Sequence, residues 1–229
     1  MTEESYTLEL DPALHPCPVS PALVWAVGIA PPRPSDEAPS FLTEVLEQCK
    51  TCGEGFVSAE LRARVRDMLR YGRYKPAGRG KPASEFLLRA ARSDSFPLVN
   101  GPVDVNNAVS LASGLPGSIF DADLSGNDLR LRRGLPGEAY VFNPAGQSID
   151  LEDLIVICRR EGDRWTPCGN PVKDAMATKV RSQTQRVVAV LYAPAGESGA
   201  FVETWAARYA ELLGVHCRAQ AVGFSVVGS

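Results

Sequence analysis

Histidine is almost missing from this chain: of 229 residues only His15 and His216 carry an imidazole, one near each end. That scarcity argues against a serine or cysteine nucleophile activated by a histidine base, and against a histidine-rich catalytic metal site. The Gly-x-Ser-x-Gly elbow of α/β-hydrolases does not occur, nor does Gly-x-Gly-x-x-Gly after any expected strand. Gly78-Arg79-Gly80-Lys81 runs into Pro82 where a phosphate-binding P-loop needs Ser or Thr. No apolar run approaches the roughly 20 residues of a membrane helix; the longest covers residues 187–193. The opening Met1-Thr2-Glu3-Glu4-Ser5 is acidic and lacks the basic-then-apolar order of a secretory signal. A soluble, cytoplasmic protein without a membrane partner is expected.

Six cysteines lack a framework. Cys49-Lys50-Thr51-Cys52 is half a zinc motif, while Cys17, Cys158, Cys168 and Cys217 show no paired ligand spacing. Buried or idle thiols are the ordinary reading, so neither metal nor cofactor is expected. A net basic charge is missing too: the formal charge is -3. Sequence-independent nucleic-acid binding draws most of its affinity from phosphate neutralisation, and no DNA partner is expected.

The positive charge that does exist is concentrated. Between Arg62 and Arg92 the chain is rich in Arg and Lys, with only Asp67 and Glu85 opposing them. A solvated helix face explains such a run in most proteins; the functional alternative is an RNA-contacting face formed by Arg66, Arg70, Arg73, Lys75, Arg79 and Lys81. Ser58 should cap a helix reaching about Gly72, with Leu61, Val65, Met68 and Leu69 on one side. Earlier, residues 6–10 and 22–30 read as a strand and a short apolar run. Helices are expected over residues 41–49 and from Ser84 onward. Asp104 is expected to cap another, ending at Gly114. From Ile119 the pattern turns to strands, with Leu129 and Leu131 alternating with arginines. Residues 186–192 form a β-branched run suited to a buried central strand. A last amphipathic helix should end at Gly214, before a closing strand over residues 222–227. Early helices and late strands argue for α+β organisation.

Polar residues crowd between Asn100 and Asp123. Capping and turn chemistry accounts for part of that crowd. Asn106 and Asn107 are harder to place, being poor helix formers inside an expected helix. Any catalysis would have to use carboxylates, hydroxyls, amides, backbone groups and a held water.

In order along the chain, several segments resemble the B3/B4 domain of the phenylalanyl-tRNA synthetase beta subunit, and more closely the free-standing proteins that carry it. They are Gly101-Pro102-Val103-Asp104-Val105-Asn106-Asn107-Ala108, Gly114-Leu115-Pro116-Gly117-Ser118-Ile119-Phe120-Asp121, Leu129-Arg130-Leu131-Arg132 and Gly137-Glu138. Arg73-Tyr74-Lys75-Pro76, Pro82-Ala83-Ser84-Glu85, Pro97-Leu98-Val99-Asn100, Lys173-Asp174 and Thr178-Lys179-Val180 echo the free-standing pattern. The resemblance implies an α+β fold, with a compact β-rich B3/B4-like core over about residues 64–193 and flanking helices, in one domain of residues 1–229. It implies tRNA or aminoacyl-tRNA as partner. Removal of a mischarged amino acid by a positioned water would follow the logic of a second sieve. Asn106, Ser118 and Asp121 become the candidate catalytic pocket; Asn107, Glu138, Lys173, Asp174 and Thr178 become candidate substrate-binding residues. Ser118 stands where the synthetase pattern has a histidine, Asn106 where it has Thr, and Val190 falls near its glutamate. A non-catalytic RNA-binding module and an amino-acid or small-molecule binder are the alternatives. A basic face beside the polar pocket favours the RNA readings; opposite faces favour the small molecule.

Overall fold

The β-branched run forms the centre of the molecule. In the computed structural model, which describes residues 5–227, it becomes strand β9 (Arg186–Pro194), buried along nearly its whole length. The acidic opening, residues 1–4, lies outside the described residues. The first strand is β1 (Thr7–Leu10), and the early apolar run forms β2 (Val19–Val27), which pairs antiparallel along all of β9. On its other side β9 takes β3 (Gly117–Asp121), and β10 (Ala221–Val226) lies outside β2. The sheet order is therefore β10-β2-β9-β3. A second sheet, β1-β4-β7-β8, is built from β4 (Asp128–Arg133), β7 (Ile155–Glu161) and β8 (Arg164–Gly169), with β1 parallel to β4. A separate hairpin joins β5 (Ala139–Val141) to β6 (Ser148–Asp150).

Helices cover these sheets: α1 (Ser40–Cys52), α2 (Ala59–Leu69), α3 (Ala83–Arg92), α4 (Gly101–Ser113), the single turn α5 (Ala122–Ser125) and α6 (Gly199–His216). The main core joins both sheets with one side each of α2, α4 and α6, and a smaller cluster lies between α1, α3 and α4. This is a mixed α+β architecture. Among the described residues no helix is long and apolar enough to cross a membrane.

Three local expectations need correction. Ser58 does cap α2, accepting from the Leu61 N–H at 3.1 Å, but the helix stops at Leu69 rather than near Gly72. The cap of α4 is Asn100, which accepts from the Val103 N–H at 3.2 Å. Asp104 lies in the first turn, fully buried, and its carboxylate binds the Ser35 hydroxyl and the Val99 N–H. It therefore ties an incoming segment to the helix. Gly214 does not end α6, which continues to His216. The helix lies against β10 here, and a Cβ at Gly214 would stand 3.6 Å from Val222, an ordinary contact.

Candidate functional site

Helix α2 buries Val65, Met68 and Leu69 and turns Arg62 and Arg66 the other way. Helix α3 buries Leu87 and Leu88 and presents Phe86, Arg89 and Arg92. The loop between them, constrained by its prolines and glycines, adds Arg73, Arg79 and Lys81. Facing these are the β5–β6 hairpin and residues 172–179, and between the two walls runs a cleft of about 2210 Å³. Nine arginines and lysines line it against four aspartates and glutamates. Two of the cations are neutralised across elements. Arg66 grips Glu85 through two guanidinium nitrogens, and Arg73 meets Glu152 at 2.6 Å. Among the described residues no ion pair engages Arg62, Arg79, Lys81 or Arg89. A local surplus of positive charge thus stands in a protein of net charge -3.

Asp174 lies in the wall of this cleft. Its carboxylate accepts from the Ser118 hydroxyl at 2.6 Å and from the Ile119 N–H at 3.3 Å. Ser118 is fully buried on β3 and also meets the Tyr192 hydroxyl of β9 at 2.9 Å. Ser118 pairs with Val190, so Ser118, Val190 and Tyr192 share one face of the sheet. Asn170 fixes the loop that carries Asp174: its side-chain oxygen accepts from Val172 N–H at 2.8 Å and Lys173 N–H at 2.9 Å. The Tyr140 hydroxyl adds a bond to the Lys173 carbonyl at 2.7 Å. Burial keeps both tyrosines protonated, well above their usual pKa, so they remain O–H donors.

The same burial raises the Asp174 carboxyl to about 7, against the lowering effect of Ser118, the Ile119 N–H and the Lys179 ammonium. Burial lowers the pKa of Lys173 and of Lys179. Lys173 Nζ sits 3.9 Å from the centre of the Phe142 ring, and Lys179 Nζ donates to the Phe142 carbonyl at 2.7 Å. A carboxyl balanced between its two protonation states near neutral pH, opening on a cleft beside two amines, is equipped to exchange a proton with a bound water.

The structure brings together only part of the candidate set. Asn107, Lys173 and Asp174 line the cleft with Arg66, Arg73, Arg79 and Lys81, and Ser118 stands directly behind Asp174. The remainder are not among its lining residues. Asn106 is buried in a structural bridge, its oxygen accepting from the Tyr209 hydroxyl at 2.8 Å and its NH₂ donating to the Gly117 carbonyl at 3.4 Å. Asp121 caps α5 and accepts from Thr184 at 2.6 Å. Thr178 is fully buried and donates to the Cys168 carbonyl. Glu138 forms a two-pronged pair with Arg132 at 2.7 Å and accepts from the Leu135 N–H. Burial pushes its carboxyl up, but those donors outweigh it and the net pKa is lowered. Arg70 points to solvent near Asp67, and Lys75 is exposed outside the cleft lining. Asn106, Asp121, Thr178 and Glu138 thus have their polar groups bonded within the fold, whereas Arg70 and Lys75 face solvent. Asn170, Tyr140, Tyr192 and Phe142 escaped the sequence reading. The one available signal was Asn170-Pro171 just ahead of Lys173-Asp174, a turn signature.

Among the described residues no group of three or more His, Cys, Asp or Glu is arranged to hold a metal ion; Cys49 is buried in α1 while Cys52 is exposed.

The profile of the B3/4 domain matches residues 74–198, which is more than half of the chain. The chain belongs to the B3/4 domain family. The matched segment runs from the α2–α3 loop to the start of α6, so it contains Asp174, Ser118 and most of the cleft wall. Among solved structures, this B3/4 protein is similar to the crystal structure of an N-terminal fragment of the phenylalanyl-tRNA synthetase beta subunit from Pyrococcus horikoshii. The identity is 8% and the TM-score 0.48, over 98% of this chain and 52% of that one. The chain thus spans about half the length of that fragment. No curated protein matches it.

Proposed function

We propose that this B3/4 protein binds tRNA in the cationic cleft and hydrolyses the ester of a mischarged aminoacyl-tRNA with a water held at Asp174. The observation that carries the reading is the position of Asp174, a carboxyl with a pKa of about 7, in the wall of the cleft that holds the unpaired cations. Basic face and polar site adjoin, which favours the RNA readings over a small-molecule binder.

The chemistry follows from the groups present. Asp174, ionised, takes a proton from water as the oxygen attacks the ester carbonyl. The ammonium groups of Lys173 and Lys179 favour the negative charge that develops on the carbonyl oxygen. As the tetrahedral intermediate collapses, the C–O bond to the ribose breaks and Asp174 returns its proton to the departing hydroxyl. Amino acid and free tRNA are the products. The Ser118, Asn170 and Tyr140 network holds Asp174 in place, so positioning is prepared before the ligand arrives.

The test is deacylation of a panel of misacylated tRNAs, corrected for spontaneous hydrolysis. One or more substrates should be cleaved, with the rate rising through pH of about 7 as Asp174 ionises. Asp174→Asn should lower the rate by at least about 100-fold, with Leu135→Ala, an exposed position outside the cleft, unchanged. A flat panel accompanied by salt-sensitive tRNA binding would replace hydrolysis with a binding role.

A further inference from the structure

Phe86 is out of place by ordinary packing rules. Helix α3 buries its apolar residues at Leu87, Leu88, Ala90 and Ala91, yet Phe86 is 52% exposed. It lines the cleft, and the guanidinium of Arg89, one turn along the helix, lies 5.6 Å from its ring centre. Phe142, on the hairpin side of the same cleft, carries Lys173 over its face at 3.9 Å. Each side of the cleft therefore presents a benzene ring beside a cation, among further cations with no carboxylate partner.

Resting on the tRNA reading above, we infer that the cleft is a reader of unpaired polynucleotide, in which Phe86 is the stacking platform for an exposed base. Arg62, Arg79, Lys81 and Arg89 then meet the phosphates that flank it. A duplex hides the faces of its bases inside the stack and offers only phosphate and groove edges; an exposed ring gains nothing from it. An unpaired strand offers both π-faces and phosphates, and the alternation of ring and cation here matches both. A phenylalanine left half exposed beside a guanidinium has a purpose in this setting that a leucine or lysine would not serve.

The experiment measures binding of fluorescent oligonucleotides to the full chain: a single-stranded RNA, a single-stranded DNA of the same sequence, and an RNA duplex. The unpaired strands should bind, with Phe86→Ala lowering their affinity by roughly 5- to 100-fold. Phe86→Trp should retain affinity, duplex binding should be weak and insensitive to residue 86, and Val215→Ala, at an exposed position on α6, should change nothing. Equal loss for strand and duplex, or no loss in Phe86→Ala, overturns the inference. Preference for RNA over DNA would locate recognition at the 2′-hydroxyl as well as at the ring; equal binding would leave the ring and phosphates as the recognised features, and both results keep the inference. Because binding is read apart from deacylation, stacking without hydrolysis removes the catalytic reading alone. Hydrolysis unaffected by Phe86→Ala, with strand binding also unaffected, removes only the stacking platform.

Discussion

At the scale of single residues, Asp174 links the site to stability. Its carboxyl has a folded pKa of about 7 against an ordinary 3.8. The unfolded chain therefore gives up this proton first. Between about pH 4 and pH 7 the folded state binds more protons, so this group's contribution to stability falls as pH rises and is fully lost above about 7. Asp174→Asn has no proton to release. Its Tm should match the wild type near pH 4 and exceed it by several degrees at pH 8, as followed by thermal unfolding; a difference constant across that range would refute the burial of the charge. The residue also shows what one-dimensional reading resolves. Lys173-Asp174 attracted notice as a charged pair before a buried strand, but nothing local reports that Ser118, 56 positions earlier, donates to that carboxylate. Asn106 shows the reverse case. A poor helix former in a helix draws attention, and its buried partner is the hydroxyl of Tyr209, 103 positions away and part of the core.

At the scale of elements, most helices and strands were legible because their signals are local. A hydroxyl cap at Ser58, a left-handed glycine at Gly114 with φ of 75°, and apolar spacing along α1 and α2 each act within a few residues. Gly214 misled for a physical reason. Glycine commonly ends helices by adopting positive φ, but Gly214 is not one of the positive-φ glycines and stays inside α6, at a cost of about 1 kcal/mol against alanine that the packing of the helix absorbs. In α6 the neighbouring segment is β10, at an ordinary contact distance. Gly214→Ala should therefore fit, restrict the unfolded chain and stabilise the protein by about 0.4–1 kcal/mol in denaturant titration. A loss of stability instead would mean that the close approach of β10 requires the bare backbone.

At the scale of the whole molecule, an acidic protein holds a cationic cleft, and net charge alone concealed it. If Arg62, Arg79, Lys81 and Arg89 each meet one phosphate of an unpaired strand, log affinity should fall with log salt at a slope of roughly -3. Raising salt from 50 to 200 mM should then cost about 50-fold, measured by anisotropy. A slope near zero would show that the strand avoids these side chains. The α+β class could be read from helices early and strands late, but sheet order could not. No local pattern says that β1 lies parallel to β4, or that β2 separates β9 from β10. That last arrangement governs how the chain matures during translation. Strand β2, with Leu23, Val24 and Ala26 destined for complete burial, is translated well ahead of both of its sheet neighbours, which begin only at Arg186 and Ala221. At ordinary elongation rates it waits on the order of ten seconds for β9. Until β9 emerges, the nascent chain therefore carries an unpaired apolar strand, the kind of segment that binds whatever apolar surface it meets first.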